Sequence, residues 1–525
     1  MELCDLYLNR LIKINPTLND FFLYEKWKDK KHIQPNVYSE DFYNKLHNLD
    51  KEFLKRINKK TKKTFCDEIL LRDIRHNINM ELDYEIYMYM PINYNSNLLT
   101  HYVTESSGNG NYLFSSRKDY SNFLKRIKSL SPITDEILSK MKDGIRNKVC
   151  LSRITVDKMI EKIQDILKYK LYKHSLKNKL KPKEWENSVQ TYLVDNLERL
   201  LFFLIKEYYP HTIKEIGLQS YQGGKKAYQE IIQYETFKSI TSQQVHNLGW
   251  IELKRLVKEK KKLEKKLNVD NIDEYAKKFV YQNESDIIGD LKKIRKDLQK
   301  KVFPKYFHGK INDKDLYDIK KVQKENKQMF AYYTSPDLNG TKKGTFYINT
   351  LKPENINKHE LYVLSLHEGI PGHHFEITSH IKSNIPDYLK LGDTGYSEGW
   401  GLYCENLGDY QYDLKYYFKL KYEIQRSLRL IIDSGIHYFG WSYEKCFQTM
   451  KKYLDSTEGE IKDSILRYMD DPGQAVTYKI GEKAFLYIRK KLLKEGYTIQ
   501  DIHQIMLDIG PCPIELLVKQ LFHER

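Results

Sequence analysis

The chain has 525 residues and a formal net charge of +17, with a pI of about 9.1 and a mean hydropathy of −0.67. It contains no apolar run of the ~18 residues that a transmembrane helix needs, and its first residues lack the basic and apolar regions of a signal peptide. These features argue against an integral membrane protein and predict a soluble, intracellular one.

The positive charge does not by itself predict a nucleic-acid partner. Basic runs at 59–63 and 258–266 would attract polyanions. However, the second run contains Glu259 and Glu264 in a helical pattern, which is typical of a solvated helix face. The sequence has no zinc finger, RNA-recognition motif or glycine-rich phosphate loop. We therefore expect no specific nucleic-acid partner.

The six cysteines lie at positions 4, 66, 150, 404, 446 and 512, and no two of them form a C-x-x-C pair. This spacing indicates neither a disulfide framework nor a four-cysteine zinc site. It predicts free thiols in a reducing compartment.

Helical periodicity dominates the chain, with apolar residues at helical spacing over 192–204 and 253–267. Two short runs rich in aromatic and β-branched residues, 85–91 and 345–349, predict strands. The second run would either pair with an extended substrate or form a structural hairpin. The predicted fold class is mainly α with a small β-sheet.

No linker rich in proline, glycine and serine divides the chain, which has only 14 Pro and 25 Gly. We therefore predict a single integrated domain over 1–525. Its N-terminal helical part covers 1–210, and its motif-bearing part covers 211–525.

The segment HEGIPGHH, residues 367–374, places three imidazoles and one carboxylate within eight residues. It looks like the metalloprotease pattern H-E-x-x-H lengthened by an insertion. In the shorter pattern, histidines four residues apart share a helix face and bind zinc, while the glutamate acts on a water molecule. In an unbroken helix, His373 would face nearly opposite to His367, and His374 would lie about 10 Å along the axis.

Pro371 and Gly372 would interrupt the regular helix that keeps His367 apart from the two later histidines. The proline has no N–H and would clash with the carbonyl of His367 in a regular helix, and the glycine tolerates the backbone angles of a bulge. If two residues bulge out, His373 becomes the second metal ligand; if three do, His374 does. We favour His373, because Gly-His then matches the end of a common H-E-x-G-H variant. The alternative interpretation is a kinked helix whose histidines are structural.

A second helix is predicted from Asp393 or Thr394, either of which is a suitable N-cap, to Asn406. Glu398 and Glu405 are seven residues apart on it, so they share a face but lie two turns apart. We predict that Glu398 is the third metal ligand and that Glu405, or Asn406, orients a ligating histidine. The alternative is an amphipathic helix with solvated acids.

Two histidines and one glutamate leave the fourth position of a zinc ion open, as in catalytic sites. Zn²⁺ is therefore the predicted cofactor, and it would lower the pKa of a bound water to about 7. Glu368 would accept the proton of that water and pass it to the leaving amine. This chemistry is the metal-assisted hydrolysis of an amide, and the expected substrate is a peptide or a small amide.

The stretch HEGIPGHHFE, followed by YSEGWGLYCENLG, resembles the family called domain of unknown function 885, which is widespread in bacteria. Upstream GGKKAYQEIIQYET and VHNLGWIEL, and downstream RLIIDSGIHYFGW and RYMDDPGQAVTYKIG, resemble further motifs of the family in the expected order, over about residues 215–485. The resemblance implies a large helical zinc-metallopeptidase-like fold with a small sheet near its active-site channel. Such a fold would be distantly similar to carboxypeptidase Taq and the neurolysin-type oligopeptidases.

The same resemblance implies roles for residues of the last motif. Tyr478 would donate a hydrogen bond to the oxyanion of the reaction, and Arg467 would bind a substrate carboxylate. Gln474 also falls on a motif position and is expected to support the site from outside. For Tyr478 the alternative is simple packing, because the chain has 42 tyrosines.

The motif RLIIDSGIHYFGW adds two further expectations. His437 either contacts substrate or stabilises charge, or it is a core histidine bonded to Asp433. Arg429 and the preceding Arg426 are expected to form structural ion pairs.

Taken together, these patterns predict a zinc-dependent peptidase that acts on short or unfolded peptides. One alternative is a metal amidohydrolase on a non-peptide amide, which would use the same ligands. Another is a non-catalytic binding protein with a basic surface. The intact Glu368 favours an enzyme, because a degenerate site often loses its general base.

Overall fold

The computed structural model describes residues 2–22, 24–83, 86–108, 110, 112–174, 180–322, 330–336, 343–411 and 413–522. The chain forms two compact units. The first unit comprises residues 1–227 and 469–471, and the second comprises 228–468 and 472–525. The first boundary thus falls somewhat after the division predicted between 210 and 211.

Helices build the first unit around an aromatic core. Phe123 stacks on the fully buried Trp185 with ring centroids 5.4 Å apart, and Tyr120 packs against the same indole. The helices of this unit are α1 (Leu3–Ile14), α2 (Asn19–Phe22), α3 (Glu40–Asn58), α4 (Phe65–Asp83), α5 (Ile86–Tyr89), α6 (Leu98–Ser106), α7 (Arg117–Lys128), α8 (Leu130–Asn147), α9 (Arg153–Tyr169), α10 (Trp185–Val189) and α11 (Asp195–Phe203).

Two elements predicted in this unit have different outcomes. The helical prediction over 192–204 is confirmed, because a π-helical segment (Gln190–Val194) leads directly into α11. The strand predicted over 85–91 is wrong, because residues 86–89 form the helical turn α5; residue 85 lies outside the described residues. A short apolar run has no periodicity that separates a strand from a helical turn.

The cysteine prediction needs a correction. Cys4 of α1 and Cys66 of α4 form a disulfide bond, with Cα atoms 6.2 Å apart. Their separation of 62 residues hides the pair in the sequence. The four other cysteines are free and buried. Because disulfides persist mainly in oxidising compartments, the bond argues against the predicted reducing compartment.

The second unit contains the sequence motifs and is built from long helices. Its helices are α12 (Gly224–Glu235, in which the unit begins), α13 (Ser242–Leu267), α14 (Ile272–Ala276), α15 (Glu284–Asp297), α16 (Phe303–Tyr306), α17 (Glu360–Glu368), α18 (His373–Lys382), α19 (Thr394–Glu405), α20 (Leu414–His437), α21 (Tyr443–Tyr453), α22 (Glu458–Asp470), α23 (Gln474–Lys494), α24 (Ile499–Ile509) and α25 (Ile514–Phe522). The predicted helix at 253–267 is the second half of α13.

Close helix packing positions the site in this unit. Helix α20 packs against α13 and α23, and α23 also packs along α19. At the crossing of α19 and α23, Gly399 faces Gly481 so closely that a Cβ atom on Gly399 would lie 2.6 Å from the Cα of Gly481. Two glycines therefore allow the two backbones to touch, which brings the side chains of both helices into one layer.

A three-stranded sheet precedes α17. It has the order β1 (Asp318–Lys321), β3 (Thr345–Ile348), β2 (Ala331–Thr334), with β1 parallel and β2 antiparallel to β3. The predicted strand at 345–349 is therefore present, but it is the central strand. Both of its edges are already paired, so it cannot accept a substrate strand.

The mainly α fold with a small sheet is confirmed by these elements. Among the residues that the structure describes, no helix combines the length and the apolar character that a bilayer span requires.

Labelling of the unfolded protein tests the disulfide. Alkylation should modify four cysteines without reductant and six with it, as measured by mass spectrometry. Replacing Cys4 with Ser should lower the free energy of unfolding by about 4 kcal/mol, the chain-entropy value for a loop of this length. Cys150→Ser, which removes a buried free thiol of the same unit, is the control for urea unfolding. Six labelled cysteines without reductant would contradict the bond.

Candidate metal centre

The motif HEGIPGHH forms the junction of two helices. Helix α17 ends at Glu368, and α18 begins at His373 after the turn Gly369–Gly372, in which the Ile370–Pro371 peptide bond is cis. The sequence predicted a bulge inside one helix; the structure instead shows two helices. The turn is held from α19, because the indole N–H of Trp400 donates to the carbonyl oxygen of Pro371 at 3.0 Å.

Gly372 allows the chain to fold back tightly at this junction. A Cβ atom at this position would lie 1.8 Å from the carbonyl oxygen of His367. Only glycine has room for such an approach. As a result the first residue of α18, His373, returns beside His367.

The three predicted ligands converge. The Nε2 atoms of His367 and His373 each lie 3.6 Å from Oε2 of Glu398, and the two imidazole rings stand nearly perpendicular with centroids 4.8 Å apart. All three donor atoms lie within 4.8 Å of one another. The side chains of His373 and Glu398 are 14% and 22% exposed, so solvent reaches the cluster from one side.

This arrangement fits a divalent ion such as zinc. Two donor atoms that each lie about 2.1 Å from a tetrahedral ion are about 3.4 Å apart, close to the 3.6 Å seen here. Two imidazole nitrogens and one carboxylate oxygen are also a donor set that zinc prefers, and they leave one position for water or substrate.

Helix α19 supplies both Glu398 and the partner of His367. Asp393 caps this helix by accepting the backbone N–H of Tyr396 at 2.9 Å. Two turns after Glu398, Oε1 of Glu405 lies 2.9 Å from Nδ1 of His367. Because a carboxylate accepts, Nδ1 carries a proton toward Glu405, so Nε2 is the nitrogen that would bind an ion after losing its own proton.

Gly401 of α19 makes room for this imidazole. A Cβ atom at position 401 would lie 2.7 Å from the ring of His367. The ring therefore packs directly on the helix that carries Glu398 and Glu405. Backbone packing and the hydrogen bond to Glu405 together fix the orientation of His367.

The charges of the cluster shift the pKa values of its members. Burial alone would lower the pKa of His367, but its contacts with Glu398 and Glu405 raise that pKa to about 9. Burial likewise opposes the charged form of His373, and Glu398 raises its pKa. Burial would raise the pKa of Glu398, but the two imidazoles hold it well below its usual range. The site therefore attracts positive charge, and a metal ion would compete with protons for the same nitrogens.

Glu368, the predicted base, is half-buried beside the cluster. Its carboxylate interacts electrostatically with His367 and His373. Among the described residues, it makes no hydrogen bond or ion pair. Its oxygens are thus available to a water molecule or a substrate.

Tyr478 of α23 reaches the third ligand. Its hydroxyl donates to Oε1 of Glu398 at 2.7 Å and accepts from Nη2 of Arg467 at 2.8 Å. The same Nη2 donates to Oε1 of Gln474 at 2.8 Å. In this structure Tyr478 therefore orients the predicted ligand Glu398, and Arg467 and Gln474 support Tyr478. Their predicted roles toward substrate stay predictions.

The two arginines of α20 behave differently from each other. Nη2 of Arg426 lies 3.6 Å from Oε1 of Glu405, as expected for an ion pair. Arg429 instead stacks on the ring of Tyr478, with Cζ 4.0 Å from the ring centroid. Among the described residues it forms no ion pair, so the expectation of a structural ion pair is wrong for Arg429.

His374 lies outside the cluster, turned about 100° around α18 from His373. Its Nε2 donates to the backbone carbonyl oxygen of Asp315 at 2.9 Å, and its Nδ1 accepts from the hydroxyl of Tyr333 at 2.8 Å. Burial lowers the pKa of His374 to about 4. With both nitrogens occupied, His374 fastens α18 to the sheet, and the geometry places His373 at the ligand position.

Two other predicted site residues contact groups outside the cluster. His437 is buried, stacks on Tyr228 with centroids 5.3 Å apart, and donates from Nε2 to the carbonyl oxygen of Tyr468 at 2.7 Å. The amide of Asn406 donates to Oε1 of Glu482 at 2.8 Å and not to a ligating imidazole. Of the two alternatives for orienting a histidine, the structure thus selects Glu405.

Sequence reasoning missed the exceptional position of Arg429. The available signal was its place in RLIIDSGI, where a charged residue begins a run of apolar ones in a helix that is buried almost throughout. That signal indicates burial, but it does not show which groups surround the guanidinium.

Comparison with known proteins places the chain in a family. The sequence profile described as "Bacterial protein of unknown function (DUF885)" matches residues 26–521. The chain belongs to this family. No curated protein sequence matches it.

Two solved structures share the fold of this DUF885 protein. One is the crystal structure of a "putative lipoprotein" from Colwellia psychrerythraea, with a TM-score of 0.83, 20% identity, and coverage of 99% of this chain and 98% of that one. The other is a "putative lipoprotein of unknown function" from Shewanella oneidensis, with a TM-score of 0.76, 13% identity and the same coverage. At these identities the likeness shows the fold alone.

A matched pair of variants tests the ligand assignment in this DUF885 protein. His373→Ala should abolish stoichiometric zinc binding, because it removes one of three donors. His374→Ala should keep about one zinc per chain, because that imidazole bonds to Tyr333 and Asp315. Zinc content after dialysis, measured by atomic emission, distinguishes the two. The reverse order would overturn the assignment.

A second pair tests the support of His367. Glu405→Gln should weaken zinc affinity by about 10- to 100-fold, because a ligating histidine depends on its hydrogen-bonded carboxylate. The neighbouring Asn406→Ala, which removes a contact to Glu482, should change the affinity less than about threefold. Competition with a chromophoric chelator measures both. Equal effects would contradict the role of Glu405.

Proposed function

We propose that this protein is a metal-dependent hydrolase, with zinc as its ion, that cleaves amide bonds in short or unfolded peptides. The observation that carries the proposal is the convergence of His367, His373 and Glu398 near the carboxylate of Glu368, which has no hydrogen-bond or ion-pair partner among the described residues. A metal-ligand set with a general base beside it is the arrangement that hydrolysis of a stable amide requires.

His367, His373 and Glu398 would hold the ion. When bound, zinc supplies Lewis acidity, which makes water more acidic and a carbonyl more electrophilic. The protein supplies the rest of the site. Glu405 keeps the lone pair of His367 directed at the cluster, and Tyr478 holds one oxygen of Glu398 so that the other faces the imidazoles.

Glu368 is the proposed general base. It follows His367 directly, is half-buried, and interacts electrostatically with both imidazoles of the cluster. It would accept a proton from the attacking water and deliver that proton to the departing amine nitrogen. The absence of any hydrogen-bond partner among the described residues suits a group that must change partners during a reaction.

Tyr478 would remain protonated throughout. Burial raises the pKa of its hydroxyl, and the carboxylate of Glu398 raises it further. The hydroxyl therefore acts as a hydrogen-bond donor at neutral pH. Its present acceptor is Glu398, and the expected donation to the oxyanion of the reaction would require a shift of this bond.

The sheet supports a peptide as the substrate. Strand β2 is an edge strand in the part of the sheet that the structure describes. Its Tyr333 bonds to His374, the residue next to the proposed ligand His373. An extended peptide that pairs with this edge would run close to the cluster. This role belongs to β2, and not to the run at 345–349 considered from the sequence.

The general base provides the test. Glu368→Gln should keep about one zinc per chain and lower kcat by at least about 100-fold, because a general base contributes 10²- to 10⁴-fold. The assay is mass-spectrometric detection of cleavage in a randomised peptide library, with and without chelator. Glu354→Gln, which removes an equal charge from an exposed site, should leave cleavage unchanged. If the zinc-loaded wild type cleaves no peptide, the proposed function is wrong.

A further inference from the structure

Arg429 is a buried cation whose hydrogen-bonding capacity is unused within the part of the chain that the structure describes. The residue is only 7% exposed, and neither its Nε nor its Nη1 has a hydrogen-bond partner there. A guanidinium is costly to bury, and its N–H groups normally find acceptors. Two unpaired donors on one buried arginine therefore indicate a position where an acceptor binds from outside the chain.

The two neighbouring arginines differ from Arg429 because each has at least one polar partner, although Nε of Arg426 is also buried without a hydrogen bond among the described residues. Arg426 lies against the carboxylate of Glu405, and Arg467 donates to the neutral oxygens of Gln474 and Tyr478. Among the described residues, neither Arg429 nor Arg467 has a carboxylate partner. Two guanidiniums therefore lie against Tyr478, and the one carboxylate near them, Glu398, also faces the imidazoles of His367 and His373. This local excess of cationic groups favours an anionic ligand.

Arg429 is also close to the candidate metal centre. Its Cζ lies 4.0 Å from the ring centroid of Tyr478, whose hydroxyl is 2.7 Å from the ligand Glu398. One residue of an extended peptide spans about 3.5 Å. A carboxylate one or two residues from the bond at the metal would thus be within reach of this guanidinium.

We propose that Arg429 binds a carboxylate of the substrate and makes the enzyme selective for peptides that carry one near the cleaved bond. This inference rests on the proposed function, because it places the carboxylate relative to the bond being hydrolysed. Two sources supply the same chemistry: the free C-terminus of a peptide, or an acidic side chain. Arginine suits either, since its N–H groups form charge-assisted hydrogen bonds with carboxylates.

This proposal gives Arg429 the role that the family resemblance implied for Arg467, which is to bind a substrate carboxylate. Nη2 of Arg467 already donates hydrogen bonds to Gln474 and Tyr478. Arg429 has free donors and stacks on the same tyrosine. It therefore acts as the specificity-determining residue, while Arg467 positions Tyr478.

Binding to an inactive protein provides the test. Three pools of randomised tetrapeptides would be dialysed to equilibrium with zinc-loaded Glu368→Gln: neutral with free C-termini, neutral with C-terminal amides, and amidated with one glutamate. Mass spectrometry of the retained peptides should show at least one carboxylate-bearing pool enriched about tenfold or more over the neutral amides. Which pool is enriched identifies the source of the carboxylate.

Added substitutions localise the effect. Arg429→Gln in the Glu368→Gln background should reduce the enrichment to below about twofold, and Arg429→Lys should keep only part of it, because the charge remains but the planar donor set is lost. Arg255→Gln is the matched control: it removes a half-exposed arginine that is paired with Glu252, and the enrichment should persist. Circular dichroism would establish that each variant is folded.

The outcomes separate this inference from the proposed function. If Glu368→Gln retains the three pools equally, or retains none of them, the inference is wrong. Neither result depends on whether an Arg429 variant folds. Enrichment that survives Arg429→Gln in a folded protein also overturns it. Peptide cleavage by the wild type is scored independently, so an enzyme that cleaves neutral amidated peptides as well as the others would keep the proposed function and lose this inference.

Discussion

The candidate site depends on the break between α17 and α18. In a continuous helix, His367 and His373 would point in nearly opposite directions. The turn that contains Pro371 ends the first helix, and Gly372 lets the second begin within contact of the carbonyl of His367. Trp400 fastens this turn to α19, the helix that also supplies Glu398. The backbone geometry of this one turn therefore brings α17, α18 and α19 together at the candidate metal cluster.

Electrostatics reinforce this arrangement. Three glutamates and two histidines gather in a region of low exposure, where unneutralised charge is unfavourable. Glu405 also faces Arg426, and the carboxylates of the cluster, Glu405 included, raise the pKa of the imidazoles. A cation at the cluster would neutralise the same carboxylates. Arg429 and Arg467 both lie over the ring of Tyr478, and neither forms an ion pair with a carboxylate among the described residues. Acidic and basic groups in neighbouring positions would suit a metal ion and an anionic substrate.

Fold and function have different support. The family match and the two structural neighbours show what the chain folds into, and the family itself has no described activity. The proposed hydrolysis is argued from side chains: donor atoms at a separation suitable for zinc, an available carboxylate, and an oriented ligand sphere. The Cys4–Cys66 disulfide of the other unit bears on a separate question, because disulfides persist mainly in oxidising compartments and the cysteine spacing alone predicted free thiols.

Local patterns of residues were sufficient to predict the helical fold class, the strand at 345–349 and the residues from which the candidate ligands come, because helical periodicity and a His-Glu-Pro-Gly-His pattern are local features. Long-range packing settled the other features. It distinguishes His373 from His374, because His374 bonds to Tyr333 and to the backbone of Asp315. It also shows that Glu405, and not Asn406, contacts the imidazole of His367. It also pairs Cys4 with Cys66 in a disulfide and leaves Nε and Nη1 of Arg429 without a hydrogen-bond acceptor among the described residues. Each of these outcomes depends on distances between atoms far apart in the chain, and no local pattern of residues encodes such distances.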